Sequence, residues 1–314
     1  MALLWKFLLA AALPVDYDLE SLPYPLYASP KIDGLRGGVQ RGVVVGRKGL
    51  APRNPAVQEL FGGNAHEGLD FEVTVGPSWA ADVFGRTQGC CNSAKPEAVE
   101  EFRKYGQIHL IDYVPRTEDF DFKTRVARMW LAHSAQKWRE MGVHIIKQTL
   151  IKTAAELRTY ETERLARGYE GIMLRKSTAG PYPQKPGKDN RSTLKEFELV
   201  KLKRMERSLA RILAVFPLEH NVNTEKTAAG KRSLAKSGMV ADAEQFGSVT
   251  LKDTKTGAEF SVSLQSAVAR QWGGWRHKEL WAGKTVSYTH QLVGAKDIVP
   301  RFPQCKFLEL GLGE

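Results

Sequence analysis

Ser29-Pro30-Lys31-Ile32-Asp33-Gly34-Leu35-Arg36 places one lysine in a Lys-x-Asp-Gly-x-Arg frame. An apolar run precedes it. Behind it, Gly37 to Arg47 reads as two short strands turning at Gln40-Arg41-Gly42. A lysine makes a covalent intermediate only as a neutral amine, and an unperturbed amine titrates near ~10.4. Burial, neighbouring cations or a bound metal must lower that value. Asp33 and Gly34 suit the tight turn such a lysine would sit on, and Arg36 is placed to reach a phosphate or a ribose. Lys-x-Asp-Gly alone is a common surface turn, so its weight comes from the order of the motifs downstream of it.

The chain of 314 residues is long enough for two domains, each with its own core. A formal charge of +11 favours a polyanionic partner such as nucleic acid. Three cysteines, two of them adjacent at Cys90 and Cys91, make neither a disulfide framework nor a paired Cys-x-x-Cys zinc site, which fits a reducing compartment. Walker A, Gly-x-Gly-x-x-Gly and His-Glu-x-x-His patterns do not occur, leaving P-loop, Rossmann and zincin chemistry without support. Met1 to Ala12 reads as a short structural helix-like run, with a cleaved signal as the alternative. No run reaches the ~20 apolar residues of a membrane span.

Leu69 to Val75 and Ile108 to Val114 read as buried strands, and Lys123 to Gly142 as an amphipathic helix with His133 at the core edge. Thr153-Ala154-Ala155-Glu156 is a capping box opening a second helix that closes near Gly168. The polar stretch between Lys176 and Phe197 reads mostly as linker. Strands alternating with helices predict an α/β (α+β) domain over residues 1–205. Beyond it, strands at Leu209 to Phe216, Ser248 to Lys252, Phe260 to Leu264 and Lys284 to His290, with one helix-like stretch from Leu264 to Trp272, predict a small OB-type β-barrel over 206–314. A basic, polar segment at about 221–240 interrupts it, too long to be a plain turn.

In their order these motifs resemble the covalent nucleotidyltransferase superfamily, and within it the small viral ATP-dependent DNA ligases. The resemblance runs over nearly the whole chain. It implies a nucleotidyltransferase (adenylation) domain followed by an OB-fold domain, with 221–240 as a latch closing around duplex DNA. Lys31 is similar to the nucleophile that forms a lysine–AMP phosphoramidate. The resemblance implies ATP binding by Ser29, Arg36, Arg47, Glu72, Ile111, Glu170, Lys201 and Lys203, with Glu170 and Glu72 serving Mg²⁺ or Mn²⁺. Strand alternation in Leu199-Val200-Lys201-Leu202-Lys203 puts both lysines on one side. The implied partner is nicked duplex DNA, encircled by a monomer in the cytoplasm of a host cell; a cleaved N-terminus would instead imply the periplasm.

Two departures from the family pattern are visible. Ile111 stands where an aromatic residue stacks on adenine, and the closing basic motif expected near Glu309 to Gly311 is absent. Arg301 or Lys306 is the candidate to supply its cations. The alternatives are an RNA ligase or mRNA guanylyltransferase sibling, separable by nucleotide choice, and a DNA-end-binding protein whose catalysis has decayed.

Overall fold

The computed structural model describes residues 3–14, 16–115, 120–133, 138, 140–185, 190–225, 232–233, 235–264, 275–291 and 299–305. Its chain divides into two units, Met1–Arg204 and Met205–Glu314.

In chain order the first unit comprises β1 (Ala11–Ala12), β2 (Leu26–Pro30), β3 (Leu35–Gln40), β4 (Val43–Gly46), α1 (Pro55–Phe61), β5 (Leu69–Val75), α2 (Val83–Cys91) and α3 (Pro96–Tyr105). It continues with β6 (Gly106–Tyr113), α4 (Phe122–His133), β7 (Val143–Ile145), β8 (Thr149–Ile151), α5 (Ala154–Ala166), β9 (Gly171–Lys176) and β10 (Val200–Lys203). The hairpin behind Lys31 forms because Arg41 and Gly42 both take left-handed φ (56° and 71°), the twist that two-residue hairpins need. Its strands join a sheet ordered β4-β3-β5-β6-β7, antiparallel except at β6–β7. A second sheet runs β1-β10-β9-β2-β8.

Side-chain alternation gives each sheet one apolar and one polar face. Phe71, Val73, Ile108 and Leu110 pack with Phe61 and Phe102 of the helices outside the first sheet. Leu26, Ala28, Ile172, Leu174, Val200 and Leu202 pack on Leu157 and Tyr160 of α5. A fully buried side chain of this size contributes about 1.5–3 kcal/mol. The polar faces look toward each other: Arg175 of β9 reaches Asp112 of β6 at 3.1 Å. The link from β2 to β3, which carries Lys31, crosses between the two sheets.

Several sequence expectations need correction. Residues 3–14 are extended, not helix-like, because their hydrogen bonds go elsewhere in the chain. Gln40 accepts from Leu4 N at 2.6 Å and donates to Trp5 O at 3.0 Å. Tyr182 Oη accepts from Leu8 N at 2.7 Å, Asn190 donates to Lys6 O, Leu9 bridges Arg191, and Ala11 pairs with Val200. The supposed linker after Lys176 is therefore a tied-down strap whose Tyr182, Asn190 and Ser192 are buried. The helix expected over Lys123 to Gly142 is helical at Phe122–His133 and again at Trp138 and Glu140, the residues between them (134–137, 139) lie outside the described residues, and Val143 opens the next strand. The side chain of His133 lies outside the described residues. Helices α1 to α3 were not anticipated. At the α5 start, Thr153 Oγ1 accepts from Glu156 N and Glu156 accepts from Lys152 N, one residue before the position of a strict capping box.

The second unit is an antiparallel sheet, β13-β12-β11-β14-β15, from β11 (Met205–Asn221), β12 (Met239–Asp253), β13 (Glu259–Ser263), β14 (Thr285–Gln291) and β15 (Arg301–Gln304). Ile212, Phe246, Val249, Leu251, Val286 and Tyr288 form its core. Such a sheet is compatible with a small barrel. β11 and β12 run far beyond the expected strands, staying paired out to Asn221–Met239 through bulges at Ile212/Ala214 and around Pro217. The basic segment caps this hairpin: Asn221 donates to Ser233 O and Asn223 to Ala235 O. The rest of it, at 226–231 and 234, lies outside the described residues, as does the helix expected beyond Leu264. No helix among the described residues is long and apolar enough to cross a membrane.

Candidate active site

Lys31 is fixed by its backbone before its side chain does anything. Its N–H donates to Gly171 O at 2.9 Å, tying the β2–β3 link to the start of β9. Two close approaches permit this. A Cβ on Gly34 would lie 2.2 Å from Val73 O, and one on Gly171 2.2 Å from Leu202 O. Both positions exclude a side chain.

The Lys31 ammonium is ion-paired with Glu170, and the other oxygen of the same carboxylate takes Lys203. Burial alone would raise Glu170, but Lys31 and Lys203 outweigh it and hold the carboxyl down at about 2. Lys201 and Lys203 project to the same side of β10, in register with Met173 and Gly171, while Val200 and Leu202 point into the core. Burial, then repulsion from Lys31, lowers the pKa of both. A single carboxylate among three lysines leaves the cluster with excess positive charge, suited to an incoming phosphate.

Across the cleft, Arg36 makes a two-pronged contact with Asp70 (2.6 and 2.7 Å) and approaches Glu72 at 3.9 Å. Its pKa is raised by Asp70 despite the opposing effect of burial. Tyr182 Oη also donates to Asp70 at 2.8 Å, so the strap braces the same carboxylate. Glu72 is pushed up to about 7 by burial, against the pull of Arg36 and Lys31. Its Oε2 is buried with no hydrogen-bond partner among the described residues, an open acceptor for a ribose hydroxyl or a cation. Arg47, exposed past the hairpin, acts electrostatically on both Glu72 and Lys201.

Ser29 lies on β2 in register with Met173, and half-buried Ile111 lies on β6 where the β5–β6 register slips between Asp70 and Phe71. Six expected residues thus gather around one cleft: Lys31, Arg36, Glu72, Glu170, Lys201 and Lys203. Ser29 and Ile111 sit on its bounding strands. Lys306 and Glu309 to Gly311 lie outside the described residues, and so does the Arg301 side chain. Among the described residues no group of three or more His, Cys, Asp or Glu side chains is arranged to hold a metal.

Sequence reading missed the supports of this site. Asp112 lies beneath it, fully buried, held by Arg125 at 2.7 Å and by Arg175. Arg125 also donates to Phe120 O and Gly180 O. On β6, His109 meets Thr74 Oγ1 at 2.9 Å and stacks on His144 with ring centroids 5.4 Å apart. Burial and His144 push His109 down to about 3. A histidine in an apolar strand carries no sequence signal separating it from core filler.

No family model and no curated protein matches the chain. Solved structures similar to it are ATP-dependent DNA ligases. A Lig E DNA ligase shares 18% identity at a TM-score of 0.64, covering 95% of this chain and 97% of its own. That likeness establishes the fold. Chlorella virus DNA ligase-adenylate is 27% identical over 96% of this chain and 97% of its own, at a TM-score of 0.49. The bacteriophage T7 ATP-dependent DNA ligase in complex with ATP is 15% identical over 96% and 97%, at 0.45.

Proposed function

We propose that the chain is an ATP-dependent DNA ligase that seals nicks in duplex DNA. The observation that carries this reading is Lys31 held against Glu170 with Lys203 on the same carboxylate and Lys201 alongside. The unit Met1–Arg204 would be the adenylation domain, and Met205–Glu314 an OB-fold domain whose β11–β12 extension is the latch.

The chemistry proceeds in three displacements, two at the α-phosphorus of the AMP and the third at the phosphorus of the DNA 5′-phosphate. ATP draws Lys31 away from Glu170, because the α-phosphate offers it a second anion. Lys31 Nζ, having shed a proton to solvent, bonds to the α-phosphorus as the bond to pyrophosphate breaks. The AMP then passes to the 5′-phosphate at a nick, breaking the P–N bond and returning the amine. Finally the 3′-hydroxyl attacks that 5′-phosphate, expels AMP, loses its proton and closes the strand. Lys201 and Lys203 neutralise the phosphate throughout, and Arg36 and Glu72 hold the ribose. Glu72 Oε2 and Glu170 would hold Mg²⁺, which would supply charge neutralisation at the phosphate oxygens.

Incubation with α-labelled ATP or GTP, followed by a denaturing gel, tests the reading with Lys31→Ala as control. Label from ATP that is absent in the variant, and sealing of a nicked duplex, are the expected results. Label from GTP would make it a capping-type enzyme. Absence of label and of nick sealing, with nicked DNA still bound, would make it a DNA-end binder without catalysis.

A further inference from the structure

Beside the Lys31 segment opens a cavity of about 630 Å³, within the size range of small-ligand sites. Pro30 and Ile32, the two neighbours of Lys31, form part of its wall. His109, Gln107, Ile146 and Tyr169 form others. His109 is the cross-strand partner of Glu72, which places their Cβ atoms about 5 Å apart. A nucleoside whose ribose rested on Glu72 would have His109 within reach of its base.

The hydrogen bonds fix which ring nitrogen of His109 bears the proton. Thr74 has one hydroxyl proton, and it is donated to Gly76 O at 3.0 Å. Toward His109 Nε2, at 2.9 Å, Thr74 Oγ1 can then only accept, so Nε2 is the N–H. A neutral imidazole has a single N–H, and burial with the stacked His144 keeps this ring neutral. Nε2 is taken by Thr74, so the ring nitrogen that this cavity-lining side chain can offer a ligand is Nδ1, a bare lone pair. A lone pair accepts from an amino group and repels a carbonyl oxygen.

We propose that His109, set by Thr74, is the specificity-determining residue for the purine 6-position, accepting a hydrogen bond from a 6-amino group and rejecting a 6-oxo group. The inference rests on the ligase reading above and names what selects its nucleotide.

The test is equilibrium displacement of a fluorescent ATP analogue in EDTA, so that binding is read without turnover. Competitors are ATP, purine riboside triphosphate, which lacks the amino group, and ITP, which carries the oxo group. The wild-type chain should favour ATP over the first by about tenfold and over ITP by about a hundredfold. In His109→Leu the three should fall within about threefold of one another. Thr74→Val, nearly isosteric, removes the acceptor and lets the ring carry its proton on Nδ1, so ITP should gain relative to ATP. This variant decides the matter where His109→Leu does not fold.

Equal weakening of all three nucleotides in His109→Leu, or an unchanged order in either variant, would overturn the proposal. If ATP still labels Lys31 in that case, the ligase reading survives and only the role of His109 falls. No nucleotide binding and no labelling would sink both.

Discussion

Replacing Glu72 by glutamine should remove a pH dependence that the wild-type fold carries. The carboxyl is buried and pushed up to about 7 from an ordinary 4.5. A group whose folded pKa is raised stabilises the fold below its unfolded pKa, and that contribution is lost as pH rises through the folded value. Over pH 4.5 to 7 the loss amounts to about 3 kcal/mol, at ~1.4 kcal/mol per pH unit. Glu170, held at about 2, works in the opposite direction, and its contribution changes only below 4.5. The window above 4.5 therefore isolates Glu72 when the variant is subtracted from the wild type. Guanidinium unfolding in EDTA at half-unit steps from pH 4.5 to 8 measures it. The wild type should lose ground to Glu72→Gln steadily up to about pH 7 and then run parallel. The ribose contact supplies a second readout: ATP affinity should rise about tenfold between pH 6 and 8 in the wild type and stay flat in the variant. A stability difference that is constant across the window would refute the argument that burial, not the neighbouring cations, governs this carboxyl.

Three further outcomes are expected. Arg125→Leu leaves the fully buried Asp112 with Arg175 as its remaining ion partner among the described residues and should cost about 3–5 kcal/mol, seen as a lower unfolding midpoint. Gly34→Ala drives a methyl onto Val73 O; pushing β3 from β5 should cost about 1–3 kcal/mol and suppress labelling of Lys31 in the folded fraction. Ile111→Phe places a ring where the proposed adenine face would lie and should tighten ATP binding by about five- to tenfold in the displacement assay. Unchanged affinity there would place the base away from Ile111.

The hairpin at Arg41-Gly42, the buried strand Leu69–Val75 and the paired orientation of Lys201 and Lys203 were legible because each is written in local periodicity or turn chemistry. Helices α1 to α3 were not: α1 spans seven residues, and the Gly85 and Gly89 of α2 mask its pattern. The strap around Tyr182 reads as linker because its polarity is real; what buries it is a set of partners about 110 and 174 residues away. The same distance hid the site's supports. Asp112, Arg125 and Arg175 meet only in three dimensions, and the protonated nitrogen of His109 depends on a hydroxyl 35 residues upstream.

The extended residues 4–11 have a consequence for biosynthesis. Trp5, Phe7 and Leu8 are buried in the finished unit, together with Tyr182 and Leu199. They leave the ribosome well before Tyr182 and Leu199, which follow some 180 residues later, as the 178-residue separation of Lys6 and Gln184 shows. At about 5–20 residues per second, three large apolar side chains are without that cover for about 10–40 s. Nascent chains halted before Tyr182 should therefore be favoured clients of apolar-binding chaperones, and release should coincide with the emergence of β10, which clamps Ala11 and Ala12 in parallel. The last strand of the unit, not the first, completes its amino-terminal edge.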